Sequence, residues 1–218
     1  MTHIVFNNIK FKRWKQRVEA NGNVIKNIEV LGIISRDQVN LRWAFLDCRL
    51  LTPDGVEIPR CVLIGGDSAA IVPVLTCRQD RETYTLMVEQ RRIVDGDYTE
   101  EFPAGTIDAV TNDPKIIACQ ELEEELHMTV SPEELIPLNH NQVKVNPCFS
   151  DGLVSYFYFE REVSLEFLEE MNGRSTGCHE DNEYIRVKVK KMSEVVNCVT
   201  QSALIGLKLL ERALNKVF

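Results

Sequence analysis

Apolar residues crowd the middle of the chain. From Ile58 to Leu75 they form two apolar strands parted by Gly65-Gly66, a bend or hinge, and Thr83 to Gln90 reads as a further strand ending in Arg91-Arg92. Ahead of these, Trp14–Val18 and Val24–Leu31 flank Asn21-Gly22-Asn23, a hairpin signal. Arg42 to Leu51 alternates in part and closes on the turn signal Pro53-Asp54-Gly55. Residues 1–66 are therefore expected to be strands and turns rather than helices, and too few to bury a convincing core alone. Trp14, Trp43 and Phe45 would then pack on the main domain or on a second copy of the chain. Helices are expected over 114–127, 165–172 and 202–216, which makes the class α/β.

The first of these helices carries the chemistry. Pro103 and Gly105 make a turn, Asn112 or Asp113 can cap the helix, and Pro114 suits its first position. Glu121, Glu124 and Glu125, spaced i, i+3, i+4, share one face, and Cys119, Leu122 and Leu126 make an apolar stripe on another. Like charges at i, i+4 cost about 0.2–0.5 kcal/mol per pair, and acids in the last turns oppose the helix dipole. A hard divalent cation reverses that sign, and oxygen ligands in this number suit Mg²⁺ or Mn²⁺. Taken alone, the same pattern also describes an ordinary solvated helix face.

Composition narrows the partners. The 218 residues, 44% hydrophobic and 27% charged, suffice for one well-cored domain and a small appendage. A formal charge of −8 and the lack of any basic stripe argue against a nucleic-acid backbone. No apolar run approaches the length of a membrane span, and Met1-Thr-His-Ile-Val lacks the order of a signal peptide. Seven cysteines without a Cys-x-x-Cys pair read as reduced thiols of a cytoplasmic protein. The four histidines, His3, His127, His140 and His179, show no zinc-ligand spacing.

Gly105, the short loop, the capped helix and Glu121-x-x-Glu124-Glu125 resemble the Nudix box, G-x5-E-x7-R-E-U-x-E-E-x-G-U, where U is a bulky aliphatic residue. Glu121, Glu124 and Glu125 match its metal-binding glutamates, and Leu122 and Met128 its aliphatic positions. Three departures stand out. Thr111 replaces the first Glu with one extra residue of spacing, Gln120 replaces the Arg, and His127 replaces the second Gly.

Glu89-Gln90-Arg91-Arg92 and Glu101-Phe-Pro-Ala-Gly105 resemble the ADP-ribose and nucleotide-sugar pyrophosphatase branch of that family, and Ile58-Pro59-Arg60, Gly65-Gly66 and Asn172–Gly177 most resemble its plant-type ADP-sugar diphosphatases. The resemblance implies that Arg92, with Arg91 and Glu101 beside it, meets the substrate phosphates, and that the Ala104 carbonyl joins the three glutamates around Mg²⁺ or Mn²⁺. Asn146–Asp151 is similar to a family loop, and Thr176–Val187 to the mobile catalytic loop with the strand after it. In the family that loop supplies the acid that activates water; the candidates here are Glu183, then Asp181, with Glu180 as the third.

The implied fold is a Nudix fold of mixed β-sheets sandwiched between helices, over 67–218, with an N-terminal antiparallel β region over 1–66 that serves a homodimer. The implied reaction is metal-dependent hydrolysis of the pyrophosphate of an ADP-sugar, UDP-sugar or ADP-ribose, giving nucleoside monophosphate and sugar phosphate. Gln120, Thr111 and His127 keep a rival open, a nucleotide-binding or regulatory module that retains the fold with impaired catalysis.

Overall fold

The computed structural model describes residues 2–35, 41–94, 96–107, 111, 113–177 and 184–218. The chain divides into two compact units, the first made of Met1–Asp67, Thr106–Asn112 and Val143–Val154, the second of Ser68–Gly105, Asp113–Gln142 and Ser155–Phe218.

The first unit begins with helices where strands were expected. Helix α1 spans Thr2–Asn7 and α2 spans Ile9–Ala20. Phe11, Trp14 and Val18 recur at helical spacing, and the Asn8 side chain caps α2 by accepting from the Lys10 N–H at 2.9 Å. Gly22, at φ 77°, turns the chain out of that helix rather than through a hairpin. Strands β1 (Val24–Ser35), β2 (Leu41–Leu51) and β3 (Glu57–Ile64) then form an antiparallel sheet in the order β1-β2-β3. The unit also closes a core of its own, contrary to the sequence reading: Val5, Phe11, Trp14, Leu41, Ala44, Leu46, Cys48 and Ile64 are buried together. Two helices supply the apolar face that strands alone would lack. Trp43 stays 38% exposed, and Phe45 stacks on Phe149 at 5.7 Å.

A charge network ties this unit together. Arg17 on α2 donates to both Asp67 oxygens, at 3.1 and 2.9 Å, and to the Asp151 carbonyl at 3.0 Å. The Asp151 carboxylate, with no exposed surface, accepts from the Gly65 and Gly66 N–H groups and lies 3.7 Å from Arg17. Burial pushes the Asp151 carboxyl up and outweighs the backbone N–H groups and Arg17, which pull it down. Arg17→Met leaves two buried carboxylates uncompensated. Because Arg17 is itself 31% exposed, the expected loss is about 2–3 kcal/mol, below the range of a fully buried pair. Urea unfolding measures it, and an unchanged midpoint would show the network to be dispensable.

The second unit holds the larger sheet. Its strands are β4 (Ser68–Cys77), β5 (Thr83–Arg91), β6 (Tyr98–Glu101), β7 (Ala104–Thr106), β8 (Ile136–Pro137), β9 (Val143–Lys144), β10 (Leu153–Val163), β11 (Ser175–Thr176) and β12 (Ile185–Lys191). The order is β11-β12-β5-β4-β10-β8, with β6 on β5, β7 on β4 and β9 on β10; β9 and the start of β10 belong to the first unit's residues. Helices α3 (Pro114–Leu126), α4 (Leu165–Met171) and α5 (Gln201–Leu214) fall where the sequence placed them, with a short 3₁₀ helix over Met192–Asn197. Both α3 and α5 pack on β4, whose near-continuous burial is that of a strand covered on both faces. Val72 and Val74 of β4 join Phe102, Ala203, Leu207 and Leu210 in one core. Among the described residues no helix is long and apolar enough to cross a membrane.

Candidate active site

Helix α3 is shaped by its ends. Asp113, of the two candidate caps, accepts from the Lys115 N–H at 2.9 Å, and Pro114 sits in the first turn; Asn112 lies outside the described residues. At the other end His127 takes the left-handed conformation, φ 52° and ψ 41°. Glycine enters that region freely, which gives a physical reason for the glycine of the box pattern. His127 holds it with its N–H on the Glu123 carbonyl and its ring Nδ1 3.3 Å from the Arg174 guanidinium, which donates.

The three glutamates are not equivalent. Glu124 is exposed, Glu121 half-buried and Glu125 only 2% exposed. The apolar stripe is Ala118, Leu122 and Leu126, with Ile117 beside it, and Cys119 only half-buried. Glu125 lies at the margin of that buried stripe, so the single acidic face read from the spacing runs from solvent into the protein. The exposed Glu123 is occupied locally, accepting from the Thr129 hydroxyl at 2.9 Å.

Residues 103–105 seat themselves on these carboxylates. The Pro103 carbonyl accepts from the Ile71 N–H of β4 at 2.9 Å, and the Ala104 N–H donates to Glu125 Oε2 at 3.1 Å. A Cβ built on Gly105 would fall within the Glu121 carboxylate. Gly105, expected in a turn, lies in the strand β7, which is open only because glycine has no side chain and carries two carboxylates against its backbone. Among the described residues no three His, Cys, Asp or Glu side chains close into a metal-binding group. The donors fit a hard divalent cation in kind, since all are carboxylate or carbonyl oxygens beside an open backbone.

On the neighbouring strands Arg92 forms a two-pronged pair with Glu101, Nε to Oε1 at 2.7 Å and Nη2 to Oε2 at 2.9 Å. The Thr99 hydroxyl donates to the same carboxylate at 2.8 Å. Burial pushes the Glu101 carboxyl up, but Arg92 and Thr99 outweigh it and hold it below the ordinary 4.5. Arg91 lies over the Tyr98 ring at 4.5 Å and donates to the Gly96 carbonyl at 2.6 Å. A depressed folded value stabilises the fold above the unfolded value and loses that contribution as pH falls through the folded one. The stability difference between wild type and Glu101→Gln should accordingly be largest above pH 4.5 and shrink below it. A difference that is flat with pH would remove the ion pair as its cause.

Of the residues read from the sequence, Ala104, Glu121 and Glu125 come together directly, and Arg92 meets Glu101. Asp181 and Glu183, with Glu180, lie outside the described residues. Residues that the sequence did not reveal include Thr176, whose hydroxyl donates to the Glu125 carbonyl at 2.6 Å inside the protein. Asp151, read only as the end of a segment similar to a family loop, is a buried carboxylate.

No protein-family model matches the chain. It is 26% identical over 196 residues to Nudix hydrolase 14, chloroplastic, from Arabidopsis thaliana, a match covering 82% of this chain and 62% of that relative. The chain thus spans less than two thirds of the length of the curated relative it matches. In fold it is similar to a crystal structure of an ADP compounds hydrolase, with a TM-score of 0.61 and 15% identity over 88% of this chain and 94% of that one. The chain is thus similar to a Nudix hydrolase in sequence and to an ADP compounds hydrolase in fold, the direction in which the box pointed.

Proposed function

We propose that this Nudix-type chain hydrolyses the pyrophosphate of a nucleoside diphosphate linked to a sugar or ribose, an ADP-sugar, UDP-sugar or ADP-ribose, releasing nucleoside monophosphate and sugar phosphate. The observation that carries the reading is the short strand β7, whose Gly105 and Ala104 sit on the carboxylates of Glu121 and Glu125. Glu121, Glu124, Glu125 and the Ala104 carbonyl would hold Mg²⁺, or Mn²⁺. When bound, the metal supplies charge neutralisation at the phosphates and a more acidic water.

The chain's own groups do the rest. Arg92, oriented by the Glu101 carboxylate that Thr99 also holds, would meet phosphate oxygens with guanidinium donors other than the Nε and Nη2 paired to Glu101, with Arg91 and Glu101 beside the same substrate. Glu183 is assigned as the base that takes the proton of the attacking water, with Asp181 second, because metal-bound carboxylates are poor bases. The apolar Leu31, Ile34 and Trp43 exposed on the first unit support a homodimer. The six described cysteines are free, which suits a reducing, cytoplasmic setting.

The test is a panel of nucleotide sugars and ADP-ribose, each incubated with and without Mg²⁺. Products are read as phosphate released by an added phosphatase. Metal-dependent phosphate from at least one member is expected. Binding across the panel without phosphate would favour the regulatory reading, in which Gln120 and His127 mark a site that no longer turns over.

A further inference from the structure

We propose that Thr176 is a positioning residue for the metal-binding glutamates, acting on Glu125 through its backbone; this rests on the function proposed above. The last carbonyls of a helix have no donors within it and must find them elsewhere. At the end of α3 the Leu122 carbonyl takes the Met128 N–H and the Glu123 carbonyl takes the His127 N–H, both at 3.0 Å. The Glu125 carbonyl instead takes the Thr176 hydroxyl, at 2.6 Å, between residues only 2% and 3% exposed.

Thr176 is itself fixed. It sits on β11, paired through Ile185 to β12, and β12 pairs in turn with β5. Two residues earlier Arg174 reaches His127, so this short segment grips the helix end at two points. The Glu125 side chain is tied the other way, to the Ala104 N–H. Glu125 is therefore held between β11, through its carbonyl, and β7, through its carboxylate. Losing the hydroxyl takes one donor from a buried carbonyl, and the last turn shifts against Glu121 one turn earlier. A displacement near 1 Å at such a site costs about 10²-fold in rate.

Thr176→Val removes the hydroxyl and keeps the shape; Thr176→Ala removes it with less bulk, and Thr176→Ser retains it. Mn²⁺ uptake by the substrate-free proteins, followed by the loss of the free-ion electron paramagnetic resonance signal, should weaken at least about tenfold in Thr176→Val and Thr176→Ala and return in Thr176→Ser. In turnover, the half-saturating Mg²⁺ should rise, with substrate KM at saturating metal within about twofold of wild type. A purely structural role would lower Tm and leave the folded variants' metal affinity alone. Wild-type Mn²⁺ affinity in either hydroxyl-free variant, or a serine variant as weak as alanine, overturns the inference and leaves the function standing. A wild type that binds no Mn²⁺ overturns both.

Discussion

Glu124→Gln should lower kcat by at least roughly 10³-fold, the scale of losing one major electrostatic contributor to a transition state. Glu124 is exposed at the end of α3 and makes no hydrogen bond or ion pair among the described residues. Its carboxylate therefore contributes little to holding the fold, and it adds repulsion beside Glu121 and Glu125. The melting temperature without metal should not fall. A wild-type rate in this variant would remove Glu124 from the site, and a collapse in stability would reassign it to the fold.

Gly105→Ala should be nearly as damaging for a different reason. The added methyl has no room unless Glu121 moves, because the Cβ position coincides with that carboxylate. Either β7 lifts off α3 or Glu121 swings away, and both separate the Ala104 carbonyl from the glutamates. Because the blocking atoms are the far end of a flexible side chain, the stability cost should stay below the roughly 1–3 kcal/mol of overpacking a rigid core. The loss of geometry should lower kcat/KM at least about 10²-fold. The variant should also need more Mg²⁺ than wild type, unlike a variant that is merely less stable. Steady-state rates across a Mg²⁺ titration, set beside thermal melts, separate the two effects. Full activity at wild-type Mg²⁺ demand would mean that the carboxylate has another resting place.

What the sequence revealed was what short-range chemistry encodes. Helix α3 was legible because its cap, its proline and its apolar spacing lie within about four turns of one another. The role of the strand-end arginines was legible only through resemblance, since Arg92 meets Glu101 from the end of one strand to the next, and the turn read at Pro103 and Gly105 proved to be the short strand β7. Helix α2 was missed although Phe11, Trp14 and Val18 carry its period. The turn signal at Gly22 was read as a hairpin, and the β-rich residues that follow were extended backwards over it.

The Arg17, Asp67 and Asp151 network was hidden for another reason. Its partners lie 50 and 134 positions apart, and a buried carboxylate looks like any other in a sequence. The burial of Glu125 follows from packing rather than spacing, which places it on the same wheel position as a solvated acid would have. Thr176 was read only as the start of the segment similar to the catalytic loop; its contact with Glu125 left no trace, because a hydroxyl that caps a backbone carbonyl has no side-chain partner to pattern with.

The central claim, that this site breaks a pyrophosphate rather than only holding one, is tested most directly by ³¹P nuclear magnetic resonance of ADP-ribose and UDP- and ADP-sugars mixed with stoichiometric protein and Mg²⁺. The expected result for at least one of them is loss of both pyrophosphate resonances and equal growth of two phosphomonoester resonances, abolished by chelator and by Glu124→Gln. Pyrophosphate resonances that broaden on binding yet persist with every substrate would contradict the account.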